Sequence, residues 1–205
     1  VSKRVTNATI NNDGNITLYG YLSGWDPSDS GISIYHMFVE LTQQGEFIRY
    51  SITPFVNNIF YEGYAVSQFQ NGNYLISGQI NSFASIGIFD NEFNFITQGS
   101  DNIDFTLNIG GNSIFWSSIR AFDNSIILVG NSNDPVFGQQ ATVVKIDEDL
   151  NFNWVGTYGS MVGEEDTFFS VSQSPSGELV LTGTGKDYLS EGNMQLFIKK
   201  IHFMD

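Results

Sequence analysis

The sequence predicts an all-β chain of four stacked repeats, on three observations. The first is an apolar run closed by glycine that recurs as Ile16-Thr17-Leu18-Tyr19-Gly20, Tyr74-Leu75-Ile76-Ser77-Gly78, Ile126-Ile127-Leu128-Val129-Gly130 and Leu179-Val180-Leu181-Thr182-Gly183. Its glycines stand 58, 52 and 53 residues apart. An interval of that size marks supersecondary units that bury their apolar faces only against a neighbour. The second observation is that helical spacing is missing throughout, whereas short runs of Ile, Val, Phe and Tyr end in Gly, Asn, Asp and Ser, the signature of strands and turns. The third is that the recurring run is apolar almost throughout at Ile126 to Val129 and Leu179 to Leu181. A strand with one wet face would alternate; these read as strands covered on both faces.

Each repeat resolves into four strands, a to d. Strand a falls at residues 5–11, 63–69, 115–122 and 167–174. The turns that follow it contain Asp13-Gly14, Asn71-Gly72, Asp123-Asn124 and Ser176-Gly177. Asn-Gly and Asp-Gly tolerate the positive φ angles of a two-residue hairpin, so a and b are expected to pair antiparallel. Strand b is the glycine-closed run. Strand c is expected at 34–41, 85–89, 141–146 and 195–201, and strand d at 47–52, 95–98 and 152–157. Strand a also carries small residues at matching positions (Asn7-Ala8-Thr9, Ala65-Val66-Ser67, Ser117-Ser118, Ser170-Val171-Ser172), which suit strands converging on a crowded axis.

Covered b strands and small a strands together predict a β-propeller of four repeats of about 50 residues, each a four-stranded blade. It forms one domain, with blades at about 1–56, 57–104, 105–160 and 161–205. The fourth repeat has sequence for strands a to c alone, so the last blade is expected to lack its outer strand. Either the domain belongs to a longer chain, or the edge at Leu196, Ile198 and Lys200 accepts a strand from another chain or domain.

Composition narrows the partners. Twenty-two acidic residues against 8 basic ones give a net charge of −14, which repels nucleic acid phosphate and an anionic membrane surface alike. Cysteine is absent, which removes thiolate metal sites and cysteine nucleophiles. Only 15% of residues are charged, against about 25% in an average domain. The surface is therefore dressed in Asn, Ser, Thr, Gln and Gly, as suits an extracellular protein.

In a propeller the b–c and d–a loops emerge on one face. The b–c loops are expected to carry Trp25, Phe83, Phe137 and Tyr188, with the carboxylates of Asp26, Asp134 and Asp187 beside three of them. Aromatic planes next to carboxylates and amides suit a pyranose, which has an apolar side and a rim of hydroxyls. The competing reading is that each aromatic plugs a blade junction beneath its loop. The run from Asp147 to Asn151 spaces oxygens like the start of a calcium loop but lacks its central glycine and terminal Glu, and is read as a turn. Glu164-Glu165-Asp166 is read as a solvated acidic loop, with a cation shared with Asp101 or Asp104 as the alternative. No nucleophile, metalloprotease or phosphate-loop motif is present, and no cofactor is expected.

The segment Lys145-Ile-Asp147-Glu-Asp-Leu-Asn151-Phe-Asn-Trp154 with the following Ser174-Pro-Ser-Gly177-Glu-Leu-Val-Leu-Thr-Gly183 resembles the repeat of secreted and surface β-propellers of bacteria and phages, which contains Lys-x-Asp-x-x-Gly-Asn-x-x-Trp. The first repeat departs from it with Glu40 in place of Lys145, and the second lacks both the lysine and the tryptophan. The resemblance implies a propeller on a cell surface, secreted or on a virus particle. The expected function is non-enzymatic binding or structure, with the loop face turned to a glycan or protein partner. A glycan-active hydrolase or lyase using Asp26, Asp134 or Asp187 is the alternative, and pure scaffolding through blade edges is a third reading.

Overall fold

The computed structural model describes residues 2–26, 31–54, 61–80, 82–96, 112–134, 136–159, 164–186 and 194–201. These form four antiparallel sheets, one per repeat. The first holds β1 (Ser2–Ile10), β2 (Ile16–Asp26), β3 (Gly31–Leu41) and β4 (Phe47–Pro54) in that order. The second holds β5 (Tyr61–Gln68), β6 (Tyr74–Ile80) and β7 (Phe83–Phe89). The third holds β8 (Ile114–Arg120), β9 (Ile126–Asp134), β10 (Gly138–Ile146) and β11 (Phe152–Tyr158), with the short β12 (Glu164–Glu165) running parallel to β10. The fourth holds β13 (Thr167–Gln173), β14 (Leu179–Lys186) and β15 (Met194–Ile201). Successive a strands, β1, β5, β8 and β13, pack side by side along the axis. The predicted β-propeller of four blades is the architecture observed, and the last blade has three strands among the described residues.

Glycine closes each b strand because strand a is bulged opposite it. Val5, Gly63, Phe115 and Phe168 pair with Gly20, Gly78, Gly130 and Gly183, and the register then skips one residue in all four sheets. The bulge pushes the strand-a backbone down onto strand b. A methyl group on Gly130 would lie 1.8 Å from the Ile114 carbonyl oxygen, and one on Gly20 or Gly183 would meet Arg4 or Thr167 as closely. Only a residue without Cβ fits there.

The turns correct one expectation. They are not two-residue hairpins. In seven of them the first residue bonds the carbonyl four positions on, and a single residue takes positive φ: Gly14, Gly45, Gly72, Phe93, Asn124, Leu150 or Gly177. This is a type I turn closed by a left-handed residue, which needs one permissive position instead of two. A second correction concerns blade 2. Its expected d strand is a single bridge between Phe89 and Phe95, because Phe93 and Phe95 are drawn into the junction with blade 1; residues 97–98 lie outside the described ones.

Three apolar clusters fill the three junctions between successive blades. At the first, Phe38 stacks on Phe93 at 4.6 Å. His36 is buried there, its Nδ1 2.8 Å from the Tyr19 hydroxyl and its ring edge-on to Phe89. Burial lowers the His36 pKa to about 3. Glu40, also buried, accepts from Asn11, Asn15 and Arg49. Burial pushes its carboxyl up, but these three donors outweigh that and hold it below its ordinary value. Side-chain amides clasp two junctions at the axis: Gln68 accepts from the Asn12 backbone N–H at 2.7 Å, and Gln173 accepts from that of Phe122 at 2.8 Å.

Two outcomes are expected. Gly130→Ala should lose about 2–3 kcal/mol in denaturant unfolding through overpacking, whereas Gly45→Ala, whose added methyl meets nothing within 4 Å, should lose about 1 kcal/mol from its positive φ alone. Equal losses would contradict the bulge argument. Because His36 stays neutral in the fold and titrates normally when unfolded, stability is fully present above pH 6.5 and drains away as pH falls towards 3. The slope should approach about 1.4 kcal/mol per pH unit. Between pH 6.5 and 5 the carboxylates stay ionised in both states, so His36→Gln should flatten the curve in that window.

Candidate functional site

The residue skipped by the register in each a strand is Thr6, Tyr64, Trp116 or Phe169. A bulge re-aims a side chain that a regular strand would press into the sheet stack. Three of the four are aromatic, and they converge. Trp116 sits between the other two rings, 4.7 Å from Tyr64 and 5.8 Å from Phe169 by centroid. Thr6 instead donates to the Tyr19 carbonyl.

These rings line a cleft of about 460 Å³ on the face that carries the b–c and d–a loops, across blades 2, 3 and 4. Its polar wall comes from Gln79, Asn112, Asn131, Gln139 and Thr184, with Glu165 as its carboxylate. The wall is fixed in place. Trp116 Nε1 donates to Asn131 Oδ1 at 3.4 Å, Asn131 Nδ2 donates to the Asn112 carbonyl at 3.2 Å, and Gln139 Nε2 donates to Thr167 Oγ1 at 2.7 Å. The described lining holds no Lys, Arg or His. Flat apolar planes beside amides and a single carboxylate can stack on the apolar side of a neutral sugar and satisfy its hydroxyls. They offer nothing to neutralise an anionic one.

Of the ligand-binding candidates singled out by sequence, those whose side chains are described lie outside the lining of the cleft. Phe83 and Phe137 are exposed on the same face, outside the lining of the cleft. Asp134 accepts from the Val136 and Phe137 backbone N–H groups and caps its own loop. Trp25 and Asp26, expected in a loop, belong to β2, which runs on to pair Asp26 with Gly31; their side chains lie outside what is described, as do Asp187 and Tyr188. Among the described residues the edge of β15 carries no further strand. There Ile198 is exposed, Lys200 is paired with Glu178, and the side chain of Leu196 is not described. The carboxylate of Asp147 accepts from the backbone of Asp149 and Asn151, the arrangement of a turn. Slight burial raises its pKa, but those donors prevail and lower it. Among the described residues no group of acids and histidines is placed to hold a metal ion.

The bulge aromatics escaped the sequence reading although a signal was there. Thr6, Tyr64, Trp116 and Phe169 each stand 14 residues ahead of the glycine that closes strand b.

No protein-family profile matches this chain, and no curated protein matches it. Among solved structures it is similar to a single-residue mutant of the NanB sialidase from Streptococcus pneumoniae, with a TM-score of 0.57 and 14% identity over 92% of this chain. A second NanB structure, with Optactamide, gives a TM-score of 0.54 at 14% identity over 92% of this chain. In both cases the chain spans 28% of the length of the protein it matches. Likeness at this identity establishes the fold.

Proposed function

We propose that the chain is a non-enzymatic binding module that holds a neutral glycan on its loop face, with Tyr64, Trp116 and Phe169 as the stacking surface. The observation that carries this reading is the convergence of three bulge aromatics on a cleft walled by fixed amides. Glycosidic hydrolysis generally needs two carboxylates about 5–10 Å apart, and the described lining supplies Glu165 alone. The likeness to a sialidase supports a glycan setting for the fold. An extracellular location belongs to the same proposal, supported by the uncharged polar surface and by the repeat's resemblance to secreted and surface propellers. Exposed Phe83 and Phe137 extend the contact face beyond the cleft.

A glycan array followed by titration calorimetry tests it. Binding of a neutral oligosaccharide without release of product is expected, and Trp116→Ala should weaken it at least about tenfold, the loss of a buried contact anchor, while the variant's melting stays close to the parent's. Release of reducing sugar that disappears in Glu165→Gln would replace the reading with a hydrolase. Binding to anionic glycans alone would overturn the assignment of this cleft.

A further inference from the structure

The flat faces of blade 1 are not alike. Thr17, Tyr19, His36, Phe38 and Glu40 point to blade 2 and are buried. The other face presents Ile16, Leu18, Met37 and Val39, each only half-buried. Their row continues onto β4 with Tyr50 and Ile52, which register beside Val39 and Met37 and are 64% and 45% exposed. Side chains alternate across a sheet, so these six form one apolar surface. Single chains rarely leave such a patch in water.

The repeat shows what this surface is built for. Ile16 and Leu18 occupy the positions of Tyr74 and Ile76 in blade 2, Ile126 and Leu128 in blade 3, and Leu179 and Leu181 in blade 4. All six of those counterparts are buried, each pair in the cluster shared with the preceding blade. What covers them is always the opposite face of a blade. Blade 4 leaves such a face uncovered among the described residues. Val180, Thr182 and Thr184 are half-buried there, and Ile198 is 67% exposed. The Lys200 ammonium on that face already has Glu178 as its counter-charge.

One chain therefore carries both halves of the junction it makes three times internally, and the two halves do not cover each other. We propose that blade 1 docks head to tail against blade 4 of a second copy. The amide clasp of the first and third internal junctions has no counterpart here. Pro175 lacks the N–H that Asn12 and Phe122 donate, and Ile10, 58% exposed, stands where Gln68 and Gln173 accept. The contact between copies is thus apolar and reversible, and it is independent of the glycan reading.

Sedimentation and light scattering on the 205-residue chain decide it. The mass should climb from 22.8 kDa towards at least twice that value with rising concentration. Tyr50→Asp with Ile52→Asp, and separately Ile198→Asp, alter exposed positions and should each hold the mass at the single-chain value with melting unchanged. Mixing the two variant proteins should restore a complex, since each retains one competent face. A single-chain mass at about 0.1 mM, where even a weak complex is populated, overturns the proposal. So does failure of the two variants to complement each other.

Discussion

The approach of one backbone to another, carbonyl oxygen over a glycine without Cβ, governs this molecule. It is seen at Gly20, Gly130 and Gly183, and a register skip in all four sheets bulges strand a at a fixed height along the axis. The bulge frees one side chain per blade from the sheet stack, and in three blades that side chain is aromatic. A regular strand would bury those rings in the junctions. Here they meet above the axis instead, so the same steric constraint that shapes the blade also furnishes the cleft.

Between blades the dominant contribution is burial of apolar area. Blades 2 and 3 are covered on both faces, and their central strands are buried nearly end to end. At roughly 25 cal/mol per Å² of apolar surface removed from water, such junctions outweigh the polar groups they enclose. Most of those groups have partners, although the buried hydroxyls of Ser77 and Ser85 have none. Thr17 meets the Tyr74 hydroxyl, Ser67 meets Ser118, and Ser132 meets Thr142, all within the buried layers. A polar group buried without a partner would cost more than the bond contributes.

Much of this was legible in residues 16–20 and their three counterparts. Spacing, apolar continuity and closing glycines are properties of a single chain segment, and they led directly to blades and to their order. The turns were misread because Asp13-Gly14 and Asn71-Gly72 look like two-residue hairpins, whereas the actual loop places its left-handed residue last and admits Phe93 or Leu150 there. The d strand of blade 2 was misread because Phe95 opens a strand-like run yet gains more by packing, with Phe93 of the turn, into the first junction. The loop aromatics were singled out as site residues because loops usually carry function. Trp116 lies inside a strand, and only a bulge, which composition does not reveal, turns it towards the cleft.

Three blades tie strand c to their own a–b hairpin, with different chemistry, whereas in blade 2 the matching strand position is the buried Ile88. In blade 1 the acid is on the strand, Glu40 receiving Asn11 and Asn15. In blades 3 and 4 the strand supplies a base, Lys145 to Asp123 and Lys200 to Glu178. Exchanging hairpins between blades 1 and 3 would set Glu40 against Asp123 and strand Lys145 among amides. Similar modules joined in one chain are prone to pairing with the wrong sibling during folding. The opposite sign of this tie sets blade 1 apart from blades 3 and 4, so the place of the first blade is written in charge as well as in covalent connection.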